Sequence, residues 1–249
     1  MLITSEWILT AGHNFYVAEE QTEPALPEGI FVLTGNNPNS PTGTYEVEQL
    51  VFHPTWMQDN EDFLNANDFC LVKLSSPITN ITPAQLITST SEIIGNTIWY
   101  CGFGDYTQEF GNGEDYSKKH AIENILDRKV DGINTSISGQ TYNGGLLAFD
   151  FDSPTGEVNS LGDDEVNSDE ALLGSGSSDA YATEFEGATI PGDSGGPIFI
   201  NINGAWKVCG ILSGGANDPF YDYVDGGYGD ISVFTRVSTS IDWILSVIQ

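Results

Sequence analysis

The sequence predicts an all-β protein, a barrel or sandwich of short strands that ends in one helix. Short runs of β-branched and aromatic residues recur along the 249 residues, and clusters of Gly, Asn, Asp and Pro separate them. The last residues instead repeat their apolar side chains at helical spacing. Many short strands with a single terminal helix favour barrels or a sandwich over a helical fold.

Six runs carry the strand pattern most clearly. Asn203 and Gly204 stand between two of them, and because both residues tolerate positive φ they predict a two-residue hairpin turn. The predicted strands are 44–52, 68–74, 97–103, 196–202, 205–213 and 231–237.

The C-terminal residues predict the helix. Ser240 is a candidate N-cap, because a serine hydroxyl can accept a hydrogen bond from the first helical turn. Beyond it the apolar side chains fall along one helical face, at Ile241, Ile244, Leu245 and Ile248.

The charge of the chain excludes two classes of partner. It has 36 acidic against 7 basic residues, a net charge of −29. Unassisted binding to nucleic acid or to an anionic membrane needs a basic surface, so neither partner is expected.

The apolar runs are too short to span a bilayer, and no targeting segment is visible. The hydrophobic fraction of 39% predicts a folded protein with a core.

Residues 150–186 form an acidic segment rich in Gly and Ser, without Lys or Arg. This composition predicts a long solvated loop. Calcium binding is the alternative, since hard cations bind clustered carboxylates. Asp150, Asp152 and Gly156 resemble a calcium loop only in part, because no Glu stands at the twelfth position.

The three cysteines, Cys70, Cys101 and Cys209, each lie in an apolar run. An odd number leaves at least one unpaired within the chain. They are predicted to be buried strand thiols, because a free Cys packs as a small apolar side chain. No Cys or His spacing typical of zinc occurs.

Three local sequences carry residues suited to nucleophilic catalysis. LITSEWILTAGHN presents His13 after an apolar strand, NANDFCLVKLSSPI has Asp68 at the start of a strand, and PGDSGGPIF holds Ser194 in a glycine-flanked turn. A serine hydroxyl needs an imidazole as general base, and the imidazole needs a carboxylate to orient it. Glycines beside the serine leave backbone amides free to bind an oxyanion.

These motifs resemble those of the trypsin/chymotrypsin-like serine peptidases. TAGHN is similar to the family's TAAHC, NDFCLVKL is similar to NDIALLKL, and PGDSGGP contains GDSGGP. The resemblance covers nearly the whole chain in order. It implies two six-stranded Greek-key β-barrels, the first N-terminally incomplete, with a C-terminal α-helix. The implied divisions are 1–90 for the first barrel, 91–238 for the second and 239–249 for the helix.

The resemblance implies a role for each matching residue. His13 is the general base, Asp68 its orienting carboxylate and Ser194 the nucleophile. The amides of Gly192 and Ser194 form the oxyanion hole. The remaining histidines, His53 and His120, are expected to be a scaffold residue and a loop residue.

The resemblance also implies how substrate binds. Residues 213–215, which include Ser213 and Gly215, form the edge that pairs with the substrate backbone. Ala188, Gly215 and Ser232 match pocket positions and carry no charge, so an uncharged P1 residue is expected. Asp230 lies close by in the sequence and could complicate this pocket.

The sequence departs from the family in two respects. Met1 stands only twelve residues before His13, so the opening strands and the α-amine that pairs with Asp193 in relatives are missing. The chain is therefore expected to be a fragment or to have a mis-assigned start, and to be weakly active or inactive alone. Asn14 and three isoleucines replace the usual cysteines, so no disulfide is expected; the isoleucines are Ile98, Ile190 and Ile200.

These observations favour a secreted, monomeric serine endopeptidase that acts on proteins or peptides without a cofactor. Two alternatives stay open. One is a catalytically inactive binding module on the same fold, since fold does not dictate function. The other is a calcium-dependent extracellular adhesion protein, which rests on the 150–186 segment alone.

Overall fold

The protein consists of two curled antiparallel sheets, one from each half of the chain, followed by a C-terminal helix. This arrangement, seen in a computed structural model, confirms the predicted all-β, two-barrel fold. The structure describes residues 1–17, 22–57, 66–105, 116–130, 133–134, 141–142, 145–162, 173, 176–216 and 225–249.

The first sheet has the order β1-β4-β3-β2. Four strands lie in the described part of this half, fewer than the six of a complete barrel. The central strand β4 has the sequence CLVKL and is buried along almost its whole length, so it anchors the sheet. The strands are β1 (Trp7–Thr10), β2 (Phe31–Thr34), β3 (Gly43–Phe52) and β4 (Cys70–Leu74).

The second sheet has seven strand segments in the order β6-β5-β11-β12-β13-β10-β7. The two edge segments, β6 and β7, are separated in the chain only by Leu126 and Asp127. They are therefore two parts of one bent strand, which forms both edges of the sheet. Counted this way the described sheet has the six strands predicted for the second barrel. Its segments are β5 (Thr97–Gly102), β6 (His120–Ile125), β7 (Arg128–Val130), β10 (Leu146–Asp150), β11 (Pro197–Ile202), β12 (Ala205–Ala216) and β13 (Ile231–Arg236), and β8 (Ile133–Asn134) pairs separately with β9 (Thr141–Tyr142).

The predicted hairpin turn joins β11 to β12. Ile202 pairs with Ala205 across it. Asn203 and Gly204 have φ of 54° and 85°, as the turn requires.

One apolar core joins both sheets and the helix α1 (Ile241–Ile248). Large side chains from the two halves meet in it, among them Leu9, Phe69, Tyr100, Phe149 and Phe234. Burial of this apolar area is the main favourable term that holds the two barrels together.

The helix α1 begins as predicted but is capped differently. Ser240 stands at the N-cap position, yet its side chain makes no capping hydrogen bond; its Oγ lies 3.5 Å from Oδ1 of Asn67. Ile241 and Ile244 are buried as expected, whereas Leu245 is 40% exposed. The buried stripe of the helix is therefore narrower than its apolar pattern.

The described part of the acidic segment is a loop that is exposed in places, as at 154–155 and 184–185, and buried in others. Asp150, Asp152, Ser160 and Leu161 are all buried. The amide of Leu161 donates to Oδ2 of Asp150 at 2.7 Å, and Ser160 Oγ donates to the carbonyl of Gly229 at 2.7 Å. These hydrogen bonds compensate for burying polar groups, which composition alone does not reveal. Residues 163–172, 174 and 175 of the segment lie outside the described residues.

Four carboxyl groups of this region have raised pKa values. Burial, with the neighbouring charge of Asp150, raises the pKa of Asp127 to about 8. Burial and the charges of Asp150 and Glu186 raise the pKa of Asp152 to about 9. Burial also raises the pKa of Asp150 and of Glu186. Within the described ranges, no group of three or more His, Cys, Asp or Glu side chains could hold a metal ion.

The three cysteines lie in strands, as predicted. Cys70 and Cys209 are buried, Cys101 is half-buried, and all three thiols are free. Burial raises the pKa of the Cys70 and Cys209 thiols, which keeps them in the unreactive protonated form.

Among the described residues, no helix has the length and apolar composition needed to span a membrane.

Candidate active site

The turn after β1 brings His13 onto the carboxylate of Asp68. Nδ1 of His13 lies 2.6 Å from Oδ2 of Asp68, and the His13 amide donates to Oδ1 at 2.8 Å. A Cβ on Gly12 would stand 2.7 Å from the Trp56 ring, so only glycine allows the turn to approach so closely. The hydrogen bond of Nδ1 orients the imidazole, and the hydrogen bond of the amide holds the turn against Asp68. The other ring nitrogen, Nε2, is therefore directed away from Asp68.

Ser213 completes the surroundings of Asp68. Its Oγ donates to Oδ2 of Asp68 at 2.6 Å, and the Asp68 side chain is fully buried. The sequence predicted Ser213 as part of the substrate-binding edge. Its side chain also bonds the carboxylate that orients His13, a contact made across 145 residues of chain that no local motif reveals.

The turn that carries Ser194 is held between two positive-φ glycines. Gly192 has φ of 92° and Gly195 has φ of 81°. The Gly195 amide donates to the carbonyl of Leu212 at 2.9 Å. Nδ2 of Asn14 donates to the Ser194 carbonyl at 3.1 Å, so the residue after His13 joins the two turns. Ser194 itself is exposed.

Two amides of this turn are left to bind an external acceptor. The amide of Asp193 donates to Ile190, and the amide of Gly196 donates to Asp193. The amides of Gly192 and Ser194 have no acceptor among the described residues. Unpaired amides on an exposed turn suit the binding of an oxyanion.

The side chain of Asp193 is buried beneath the turn. Oδ1 accepts the Gly104 amide at 2.7 Å, and Oδ2 accepts the Ile190 amide at 3.1 Å. Nε2 of His120 lies 3.2 Å from the same Oδ2, and the Tyr100 hydroxyl donates to the Asp193 carbonyl at 3.0 Å. The expectation that His120 is a loop residue is wrong. It is the first residue of β6, and its polar surroundings in the sequence conceal this.

The comparison of sequences decides the family. The sequence model of the family Trypsin matches residues 1–244. The chain belongs to the trypsin family. It is similar to human testisin, at 26% identity over 98% of this chain and 67% of testisin. It is also similar to serine protease SSP1 of Scolopendra subspinipes, at 24% identity over 98% of this chain and 70% of that protein. Complement C1s-1 subcomponent of Mus musculus is 26% identical over all of this chain and 32% of that protein.

A cavity of about 180 Å³ opens beside Ser194 in this trypsin-family chain. Its lining includes two aspartates, Asp225 and Asp230. The other lining residues are Thr189, Ile190, Pro191, Ser194, Leu212, Gly214, Gly215, Ala216 and Ile231.

The predicted pocket residues take different places around this cavity. Gly215 lines it, whereas Ala188 and Ser232 do not. Ser232 is buried behind the wall, where its Oγ lies 2.9 Å from Oγ1 of Thr189 and accepts the Thr189 amide at 3.2 Å. No family motif marks these two aspartates in the sequence. The sequence indicates Asp230 only through its position close to β13, and it gives no indication of Asp225.

A second cavity, of about 420 Å³, also reaches Ser194. Residues of both sheets line it, including Val32 and Leu33 from the first and Phe199 from the second. Ser194 therefore borders both of these recesses.

Proposed function

We propose that this trypsin-family chain is a serine endopeptidase that cleaves peptide bonds through a Ser194–His13–Asp68 triad. The hydrogen bond of 2.6 Å between His13 and Asp68 carries the proposal, because it orients the imidazole in the turn that Asn14 joins to Ser194. A buried carboxylate also stabilises the imidazolium that forms during the reaction.

The reaction proceeds in two acyl-transfer steps. Ser194 Oγ attacks the scissile carbonyl carbon while Nε2 of His13 takes its proton. The carbonyl electron pair moves onto oxygen, and the amides of Gly192 and Ser194 stabilise that oxyanion. When the carbonyl re-forms, the C–N bond breaks and the leaving amine takes the proton from His13. Water then repeats the sequence on the acyl-ester and frees Ser194.

The end of β12 is the proposed edge for the substrate backbone. Gly215 is exposed and lines the smaller cavity together with Gly214. An extended peptide that pairs there by β-addition directs its P1 side chain into the cavity. This places the scissile bond next to Ser194.

The two aspartates support a P1 preference opposite to the one expected from sequence. Ala188, Gly215 and Ser232 predicted an uncharged P1 residue, but Asp225 and Asp230 line the cavity. A carboxylate in an enclosed site favours a cationic partner and disfavours an anionic one. We propose that the cavity accepts Arg or Lys and rejects Asp and Glu.

Labelling with a fluorophosphonate tests the proposed catalysis. We expect the probe to label Ser194 in the full chain and to leave Ser194→Ala unlabelled. Ser246→Ala, which changes an exposed serine of the helix α1, is the matched control and should label normally. Absence of labelling in the folded protein would contradict the proposal and favour the non-catalytic binding module.

Peptide amides that differ only at P1 test the preference. We expect kcat/KM to be higher for Arg and Lys than for Leu or Phe. Asp230→Asn should narrow that ratio, because it removes a charge and leaves an oxygen to accept the Gly226 amide. A higher kcat/KM for Leu in the unmodified protein would contradict the basic preference without affecting the proposed catalysis.

Secretion is the proposed location. The family acts on protein substrates, and the charge of −29 is compatible with a salty extracellular medium that screens self-repulsion. Fractionation of the source cells and their medium, followed by fluorophosphonate labelling, tests this. Labelled protein confined to the cells would contradict it.

A further inference from the structure

The buried carboxylate of Asp193 depends on three donors. Its side-chain exposure is 0%, and a carboxylate taken out of water is costly unless hydrogen bonds or an opposite charge compensate. Two of the donors are the backbone amides of Gly104 and Ile190. The third is Nε2 of His120, at 3.2 Å from Oδ2.

Asp193 is placed so that its side chain controls the oxyanion amides. It stands in the chain between Gly192 and Ser194, whose amides are the proposed oxyanion donors. The Ser194 amide belongs to the peptide unit that joins Asp193 to Ser194, and the Gly192 amide belongs to the unit that precedes Gly192, so a displaced Asp193 changes the turn that holds both amides. A Cβ on Gly104 would stand 2.6 Å from Cγ of Asp193, so the carboxylate is also tightly enclosed.

We propose that His120 is a positioning residue that holds Asp193 and so keeps the Gly192 and Ser194 amides directed at the oxyanion. The inference rests on the proposed function, since it concerns the same acylation of Ser194. The donor that reaches Asp193 from the second sheet is the imidazole of His120, at the start of β6.

The hydrogen bond between His120 and Asp193 is made through one ring nitrogen. Nδ1 of His120 is buried without a partner among the described residues, so Nε2 makes the hydrogen bond. Without the imidazole, the donors left to the Asp193 carboxylate in the described part of the chain are the backbone amides of Gly104 and Ile190.

Steady-state kinetics on the full chain test the proposal. His120→Ala should lower kcat about tenfold or more and change KM less than twofold, because an oxyanion contact acts in the transition state. His120→Gln should recover part of kcat, since its side-chain amide can still donate a hydrogen bond to the Asp193 carboxylate. His53→Gln is the matched control. His53 packs against Trp243 at 4.7 Å, away from Asp193, and should keep the kcat of the unmodified protein.

The outcomes separate this inference from the proposed function. If Ser194 labels and His120→Ala keeps the kcat of the unmodified protein, the role of His120 is overturned. If Ser194 does not label at all, the proposed function is overturned first. Should His120→Ala fail to fold, ¹⁵N-edited NMR of Ser194→Ala should show a His120 Nε2 proton protected from solvent exchange. Absence of that resonance would also overturn the proposal.

Discussion

Nδ2 of Asn14 donates a hydrogen bond of 3.1 Å to the carbonyl oxygen of Ser194, across 180 residues of chain. Asn14 follows the candidate general base directly, so this bond links the turn of His13 in the first barrel to the nucleophile turn in the second. A polar side chain thus makes a link at a position where relatives carry a cysteine.

Asn14→Ala is expected to weaken the contact between the turn of His13 and the turn of Ser194. Loss of two exposed hydrogen bonds, to the Ser194 carbonyl and to Oγ1 of Thr10, should cost about 1–2 kcal/mol in the free energy of unfolding. The effect on kcat should be larger than this stability loss suggests, because the nucleophile and base must keep near-attack geometry. Urea unfolding and steady-state kinetics measure the two effects. Asn201→Ala, which removes one exposed hydrogen bond at the hairpin turn and lines neither cavity at Ser194, is the control, and equal kcat losses in both variants would contradict the expectation.

Ser213→Ala removes a donor from the buried carboxylate of Asp68. The remaining donors are Nδ1 and the amide of His13. Leaving a buried charged group short of one hydrogen bond should cost about 1–3 kcal/mol of stability. We also expect kcat to fall, since Asp68 then holds His13 less firmly. Ser213→Thr keeps the hydroxyl and is the conservative control; a kcat as low as that of Ser213→Ala would show that shape, and not the hydrogen bond, matters.

The raised carboxyl pKa values predict that stability falls as pH rises. In the unfolded chain these groups lose their protons near pH 4, whereas Asp127 and Asp152 keep theirs to about pH 8 and 9 in the folded protein. The folded state therefore binds more protons between these limits, and the free energy of unfolding decreases across that window. Urea unfolding from pH 4 to pH 9.5 measures the slope.

Asp152→Asn should flatten this slope, because an amide cannot release the proton. Asp242→Asn, on the exposed surface of α1, should leave the slope unchanged. A stability that rises steadily from pH 5 to pH 9 would contradict the assignment of raised pKa values to this region.

Glu92 and Arg236 form a buried ion pair that holds the end of β13. Arg236 donates to both Glu92 oxygens, at 3.0 Å and 2.6 Å, and Ser238 donates to Oε1 at 2.6 Å. Glu92→Ala should cost about 3–5 kcal/mol, because it leaves the arginine charge buried and uncompensated. The exposed pair of Lys73 and Glu48 offers the matched control: Glu48→Ala should cost about 1 kcal/mol or less by the same unfolding measurement.

Strand periodicity and turn chemistry were sufficient for much of the fold. The runs at 44–52, 97–103 and 231–237 became β3, β5 and β13 within one or two residues at each end. In contrast, β6 and β10 were not predicted. HAIENI mixes polar and apolar residues, and LLAFD is short and buried on both faces, so neither shows a period of two.

The candidate site divides in the same way. His13, Asp68 and Ser194 each stand in a local motif, so residue type and neighbours were enough to single them out. The resemblance predicts Ser213 at the substrate edge but not its hydrogen bond to Asp68, and the prediction of His120 as a loop residue is wrong, because the partners of these side chains are 145 and 73 residues away. The pocket prediction from Ala188, Gly215 and Ser232 omits Asp225, since a cavity lining is assembled from several strands and loops.

The sequence by itself determined the family, the all-β class, the terminal helix and the three candidate catalytic residues, because each depends on patterns within about ten residues. Only the tertiary structure decided what supports them: His120 against Asp193, Ser213 against Asp68, and Asp225 and Asp230 in the cavity wall. It also decided that Asp150 and Asp152 are buried. The net charge is a property of the whole chain. The free energy needed to ionise each carboxyl group instead depends on its own burial and hydrogen bonds, which arise only when distant segments pack together.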